Sequence, residues 1–224
     1  MDWSPVIISL KTASASIIVT FFLGAAMAEL VFRIQNKKLK MILDGLFTLP
    51  LVLPPTVAGF FLLYIFGIRR PVGKFLLDYF AVKIAFSWEA TVLAAVLISF
   101  PLMYRAARGA FEQVDPDLLA AGRTLGMSEW NIFWKVQFPV ARPGIVSGAV
   151  LAFARGLGEF GATAMIAGNI SGKTRTLPLA VYAAVASGDT REASGYVAVL
   201  VGISFLVVIM MNYFSMKTSD SGRP

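Results

Sequence analysis

The stretch VDPDLLAAGRTLGMSEWNIFWKVQFPVARPG, Val114 to Gly144, joins two long apolar runs and is far longer than a turn between them requires. It contains two helix starts. Asp115 stands at an N-cap position directly before Pro116, whose fixed φ and missing amide suit a first helical turn. Leu118, Leu119 and Leu125 space an apolar face over the residues that follow. After Gly126 a second start appears, with Ser128 as cap and Trp130, Ile132, Phe133 and Trp134 behind it. The spacing predicts two short helices with a glycine bend between them, presenting apolar and aromatic side chains below a membrane. Such an elbow serves either as a packed re-entrant corner or as a docking surface for a partner helix or groove.

The flanks establish the membrane. Of 224 residues, 57% are hydrophobic and only 15% charged, and the mean hydropathy is +0.73; soluble domains carry about 25% charged residues. Apolar runs near Val6–Phe32, Met41–Phe66, Ala90–Ala107, Pro143–Ala167 and Tyr196–Met216 can each cross a hydrocarbon core of about 30 Å. The expectation is an all-α polytopic membrane protein with about five transmembrane helices, one membrane domain over 1–216 and a disordered tail at 217–224. The first run lacks a small-residue cleavage site at a suitable distance, so it reads as a retained helix rather than a signal peptide.

Cysteine and histidine are both absent, which removes disulfides, thiolate or imidazole metal sites and the nucleophile–base pairs built on them. No cofactor or metal is expected. The formal charge of +7 sits in short loops beside apolar spans, where lipid headgroups and topology explain it better than nucleic acid does. Arg33, Lys37, Lys38 and Lys40 cluster after the first span, and Arg105, Arg108, Arg123, Lys135 and Arg142 occupy the third connection. That side is expected to be cytoplasmic, with the amino terminus outside and the carboxyl terminus inside.

Gly172, Lys173 and Thr174 supply the second half of a G-x-x-x-x-G-K-[ST] phosphate loop, but Ala167 stands where the first glycine belongs. The segment falls between the fourth and fifth spans, on the outer side, so it reads as a turn and not as a nucleotide site. In the second span Pro50, Pro54 and Pro55 remove amides, so this helix must kink or break near mid-membrane, as a packing kink or as a pathway-lining element. In the fourth span Arg155 and Glu159 are four apart on one helical face and can neutralise each other, with Thr163 one turn on. Gly156, Gly158 and Gly161 leave bare backbone suited to close helix packing. Beyond that pair, the ionisable residues of the spans read as peripheral Lys11 and Glu29 only. The last span is uniformly apolar and reads as a lipid-facing or scaffold helix.

The segment AAGRTLGMSEWNIFWKVQFP resembles the cytoplasmic loop of ABC importer permeases, E-A-A, three residues, G, nine residues, I-x-L-P. Ala120, Ala121 and Gly122 occupy the E-A-A positions, Gly126 the glycine, and Val136, Phe138 and Pro139 the end of the motif; Ala120 replaces the glutamate. LPLVLPPTVAGFFLL (Leu49–Leu63) and FARGLGEFGATAMIAGNISGKTRTLPLAVY (Phe153–Tyr182) resemble molybdate-type permeases of the oxyanion importers, with sulfate permeases as near neighbours. The resemblance implies a type I importer permease fold, a homodimer around one pathway, and an elbow that couples to a separate ATP-binding cassette ATPase. It further implies an extracytoplasmic molybdate-binding protein delivering molybdate or tungstate, and alternating access without an ATPase site in this chain. Pro54, Pro55, Thr56, Arg155, Glu159 and Thr163 are then the candidate pathway residues. The rivals are a sulfate or thiosulfate permease of the same family, a stand-alone secondary transporter, and a membrane-embedded enzyme, which would need a convergent carboxylate pair that the spans lack.

Overall fold

The computed structural model describes residues 2–220, which are helical throughout apart from turns and loops. Three long helices, α1 (Ser4–Arg33), α5 (Trp88–Glu112) and α8 (Phe138–Leu157), pack together as its centre. In lipid, helix association gains little from burying apolar surface, so close backbone approach and hydroxyl pairs take over. Both are present. Thr12 pairs with Thr91 at 2.8 Å and Thr20 with Ser99 at 3.1 Å, one seam running along α1 and α5. Gly24 lies so near α5 that a Cβ there would stand 2.7 Å from Met103 Cγ. Below the seam, Met103, Tyr104, Phe111, Ile132 and Ile145 are buried together.

The expected second span is two helices, α2 (Lys37–Val52) and α3 (Pro55–Phe66), meeting at 110°. Pro50 lies inside α2 without ending it. The break comes from the tandem Pro54–Pro55, because a proline excludes the residue before it from the helical region, and Pro54 is extended at φ −53°, ψ 133°. The 12 residues of α3 rise only about 18 Å. A short helix, α4 (Pro71–Phe80), links α3 to α5.

Two boundaries in the second half differ from the sequence expectation. The second elbow helix is not separate: α7 (Glu129–Ile132), a π turn at Phe133–Gln137 and α8 form one rod from Glu129 to Leu157. Pro139 has no amide for the carbonyl four residues back, and the ladder shifts register there, with Phe138 N–H bonding to the Phe133 carbonyl. At its other end the fourth span stops at Leu157 rather than Ala167, and a short α9 (Gly161–Ile166) follows the break. The apolar helix α10 (Leu177–Ala186) fills what read as a loop. The last helix, α11 (Thr190–Asp220), continues into the segment expected to be a tail, and 221–224 lie outside the described residues.

These elements give the bundle two ends. Arg33 lies at the end that holds α6 (Pro116–Thr124) and α7. Val6 packs with Leu177, Ala180 and Tyr196 at the opposite end, where Ser9 Oγ accepts the Leu177 N–H at 2.7 Å.

Candidate functional site

Both interrupted spans break at the same place. A Cβ on Gly161 would stand 3.0 Å from Pro55 Cβ and 3.2 Å from Thr56 N, and one on Gly59 would stand 2.6 Å from Ala162 Cα. The half-helices α3 and α9 therefore meet backbone to backbone, which only glycine permits at these positions. Bare glycines in the sequence pointed to close packing, and the structure identifies what they pack against.

Glu159 sits within this junction. Its side chain is 2% exposed, Oε1 accepts the Ala162 N–H at 2.8 Å, and Oε2 lies 2.9 Å from an Arg155 terminal nitrogen. That second contact is an ion pair without hydrogen-bond alignment, since Oε2 has no hydrogen-bond partner. The two residues were expected on one helical face, and they do meet, but α8 ends at Leu157, so Glu159 lies in the break and caps the start of α9. Arg155 remains 32% exposed at its side chain, and Thr56 is exposed. A guanidinium and a hydroxyl at a break in two helices supply hydrogen-bond donors without an acidic surface, the chemistry an oxyanion requires. Pro54 is exposed, Pro55 is half-buried and Thr163 is buried in α9.

The elbow is the second candidate site. As expected, Asp115 Oδ1 accepts the Asp117 N–H at 2.9 Å and Ser128 Oγ the Asn131 N–H at 3.3 Å. Gly126 takes φ +73°. Its N–H bonds to the Arg123 carbonyl at 2.9 Å and that of Met127 to Gly122 at 3.1 Å, closing α6 with a left-handed cap. Gly122 is buried against Ile132, a Cβ there falling 3.1 Å from Ile132 Cγ1, and Arg123 is forked onto Glu129 at 2.7 and 3.2 Å. The expected apolar face divides: Leu119 turns inward, while Leu118, Ala121 and Leu125 form an open stripe, Leu125 80% exposed. Ala120, Gly126 and Pro139 are exposed as well, and Val136 and Phe138 are half-buried.

Sequence reasoning missed a polar network in the spans. Asp44 of α2 contacts both the Tyr104 hydroxyl and the Arg108 guanidinium of α5. Glu112 accepts from Arg108 at 3.1 Å and pairs with Lys40 at 3.3 Å. Lys11 and Glu29 are thus not the only ionisable residues of the spans beyond the Arg155 pair, because Asp44 lies inside the second run. The available signal was spacing: Lys40 and Asp44, and Tyr104, Arg108 and Glu112, recur at four residues, one face on each helix.

The segment with a phosphate-loop resemblance folds against that chemistry. Thr174 is fully buried, its hydroxyl accepting the Ile170 N–H at 3.0 Å and donating to the Gly168 carbonyl at 3.3 Å. The amides of Lys173, Thr174 and Arg175 all turn onto the Ile170 carbonyl, so they are spent on a turn and cannot cradle a phosphate.

Solved structures contain the same arrangement. A chain of the MetNI methionine ABC transporter, in an inward-facing conformation, matches with a TM-score of 0.74 over 95% of this chain and 94% of its own, at 18% identity. A chain of a bacterial ABC transporter involved in the import of the acidic polysaccharide alginate matches at 0.78, covering 96% of this chain and 78% of its own, at 12% identity. The fold is that of a type I ABC importer permease. More particularly, the chain belongs to the family of binding-protein-dependent transport system inner membrane components, whose model matches residues 20–219. Among its relatives are the molybdenum transport system permease proteins ModB of Escherichia coli K12, 47% identical over 81% of this chain and 79% of the relative, and of Haemophilus influenzae, 36% identical over 97% and 94%. ModB of Mycobacterium tuberculosis is 41% identical over 91% of this chain and 76% of the relative. The protein is therefore a multi-pass inner-membrane component of a transport system.

Proposed function

We propose that this chain is the permease subunit of a molybdate importer, working as a homodimer with a separate ATP-binding cassette ATPase and an extracytoplasmic molybdate-binding protein. The observation that carries the reading is the meeting of the two broken spans around Glu159, with Arg155 and Thr56 as open donors beside it. The molybdenum transport relatives support the substrate. The elbow end faces the cytoplasm in this reading, where Leu118, Ala121 and Leu125 seat in a groove of the ATPase. ATP binding closes the ATPase dimer, the elbows move with it, and the junction of α3 and α9 opens outward; hydrolysis reverses the change. Arg155 and Thr56 then hold the oxyanion in passage, and Asp44, Arg108 and Glu112 bind α2 to α5 so that the half-helices move as units.

Reconstitution tests this. Purified chain, ATPase and binding protein in proteoliposomes are expected to accumulate labelled molybdate only with ATP inside. Accumulation of sulfate in preference to molybdate would move the substrate to the sulfate permeases, and uptake driven by an ion gradient without ATP would overturn the importer reading.

A further inference from the structure

Two cavities at the elbow end join. One is polar, about 630 Å³, between the end of α1, the start of α2 and the elbow. The other is an apolar groove of about 930 Å³, floored by Phe21, Ala25 and Phe133 and rimmed by Trp130 and Trp134. Glu29 and Arg33 line both. The groove runs out along Phe22 and Leu30 of α1, which are 68% and 47% exposed on a helix apolar and long enough to cross a membrane. The polar cavity holds Arg33, Lys37, Lys40 and Arg123 against Glu29 and Glu129. Three of those cations are paired, Lys40 with Glu112, Arg123 with Glu129 and Arg33 with Glu29. Lys37 makes no ion pair among the described residues. The shared wall is built: Gln137, 3% exposed, donates to Glu29 Oε2 at 2.7 Å, and Glu29 Oε1 takes the Arg33 Nε–H at 2.5 Å. Only Nε of Arg33 is bonded there, so its terminal nitrogens remain as donors at the junction.

We infer that this composite site binds one anionic phospholipid, its acyl chain in the aromatic groove and its phosphate between Arg33 and Lys37. Continuity with the lipid-facing side of α1 selects a chain from the bilayer, the excess of cations selects an anionic headgroup, and the tryptophans stand where indole rings settle at a membrane surface. The lipid wedges between α1 and the elbow and so links leaflet composition to the element that drives transport. That the leaflet is cytoplasmic rests on the importer reading above.

The test uses the full chain in nanodiscs, in a Trp3→Phe, Trp88→Phe background so that Trp130 and Trp134 alone emit. Chain-brominated phosphatidylglycerol is expected to quench them more than brominated phosphatidylcholine at equal mole fraction. Lys37→Glu is expected to abolish that preference and Lys37→Arg to keep it, while native mass spectrometry counts one retained phosphatidylglycerol per chain. Equal quenching by the two lipids, a preference that survives Lys37→Glu, or quenching lost when the ATPase binds would overturn the site, the last by giving the groove to a protein face. Molybdate uptake measured on the same protein separates the two readings: lipid preference without uptake counts against the importer and leaves the lipid site standing.

Discussion

Glu159 performs two tasks with two oxygens, capping α9 through Ala162 and neutralising Arg155, and substitution separates them. Glu159→Gln keeps an acceptor for the Ala162 N–H but removes the charge, so protein level is expected to hold while molybdate uptake falls. A hydrogen-bonded charged contact is worth about 1.5–3 kcal/mol, which corresponds to a loss of about tenfold or more. Glu159→Ala removes both contacts and is expected to lower thermal stability as well; unchanged uptake in the Gln variant would make the charge dispensable. Gly126 gives a cleaner case, because no atom lies within 4 Å of a Cβ built there, so any penalty is one of backbone angle alone. Gly126→Val is expected to cost about 1–2 kcal/mol at this left-handed position and to weaken ATPase co-purification, whereas Gly126→Asn, which tolerates the conformation, is expected to retain it. Both residues were legible in the sequence, Glu159 from a spacing of four to Arg155 and Gly126 from its place between two helix starts. What spacing could not tell was that α8 would end before Glu159, since Gly158 and Gly161 permit a break without requiring one.

At the scale of elements, the tandem prolines announced the break between α2 and α3, but its partner was hidden, because contact between residues a hundred positions apart leaves no periodic mark. Gly59→Val tests the junction: the added atoms collide with Ala162 main chain, overpacking of this kind costs about 1–3 kcal/mol, and uptake is expected to be lost while the ATPase stays bound. Retained uptake would show that α3 and α9 can separate freely. The elbow was legible down to its two caps, yet its second helix was read as separate because Pro139 and Pro143 looked like a boundary, and a π turn absorbed the first of them. The helices α4 and α10, ten residues each, escaped notice because both begin at prolines inside what read as loops. The Asp44 network was passed over for a different reason: an aspartate near the start of a span does not interrupt hydropathy, and its partners came from another helix.

For the molecule as a whole, the Lys173 turn and the elbow lie at opposite ends of the bundle, so one labelling experiment orients both. In a chain without native cysteine, Lys173→Cys is expected to react with an impermeant maleimide in intact cells; Thr174→Cys, its hydroxyl neighbour buried in the turn, is expected to resist until the protein is denatured. Reaction at 173 only after permeabilisation would invert the topology. Composition and loop charge sufficed for the membrane class and for this orientation hypothesis, because both are sums over many residues, whereas the site depends on a handful of contacts that no sum records. The rod from Glu129 to Leu157 carries a mechanical consequence. Its 29 residues measure about 44 Å, with the elbow at one end and the break before Glu159 at the other. Each degree of tilt pivoted at the elbow therefore swings the far end by about 0.8 Å at the helical rise of 1.5 Å per residue, and a rotation of a few degrees displaces the Glu159 carboxylate by more than a hydrogen bond can stretch. The geometry makes this helix a lever arm, with its stroke delivered at the α3–α9 junction.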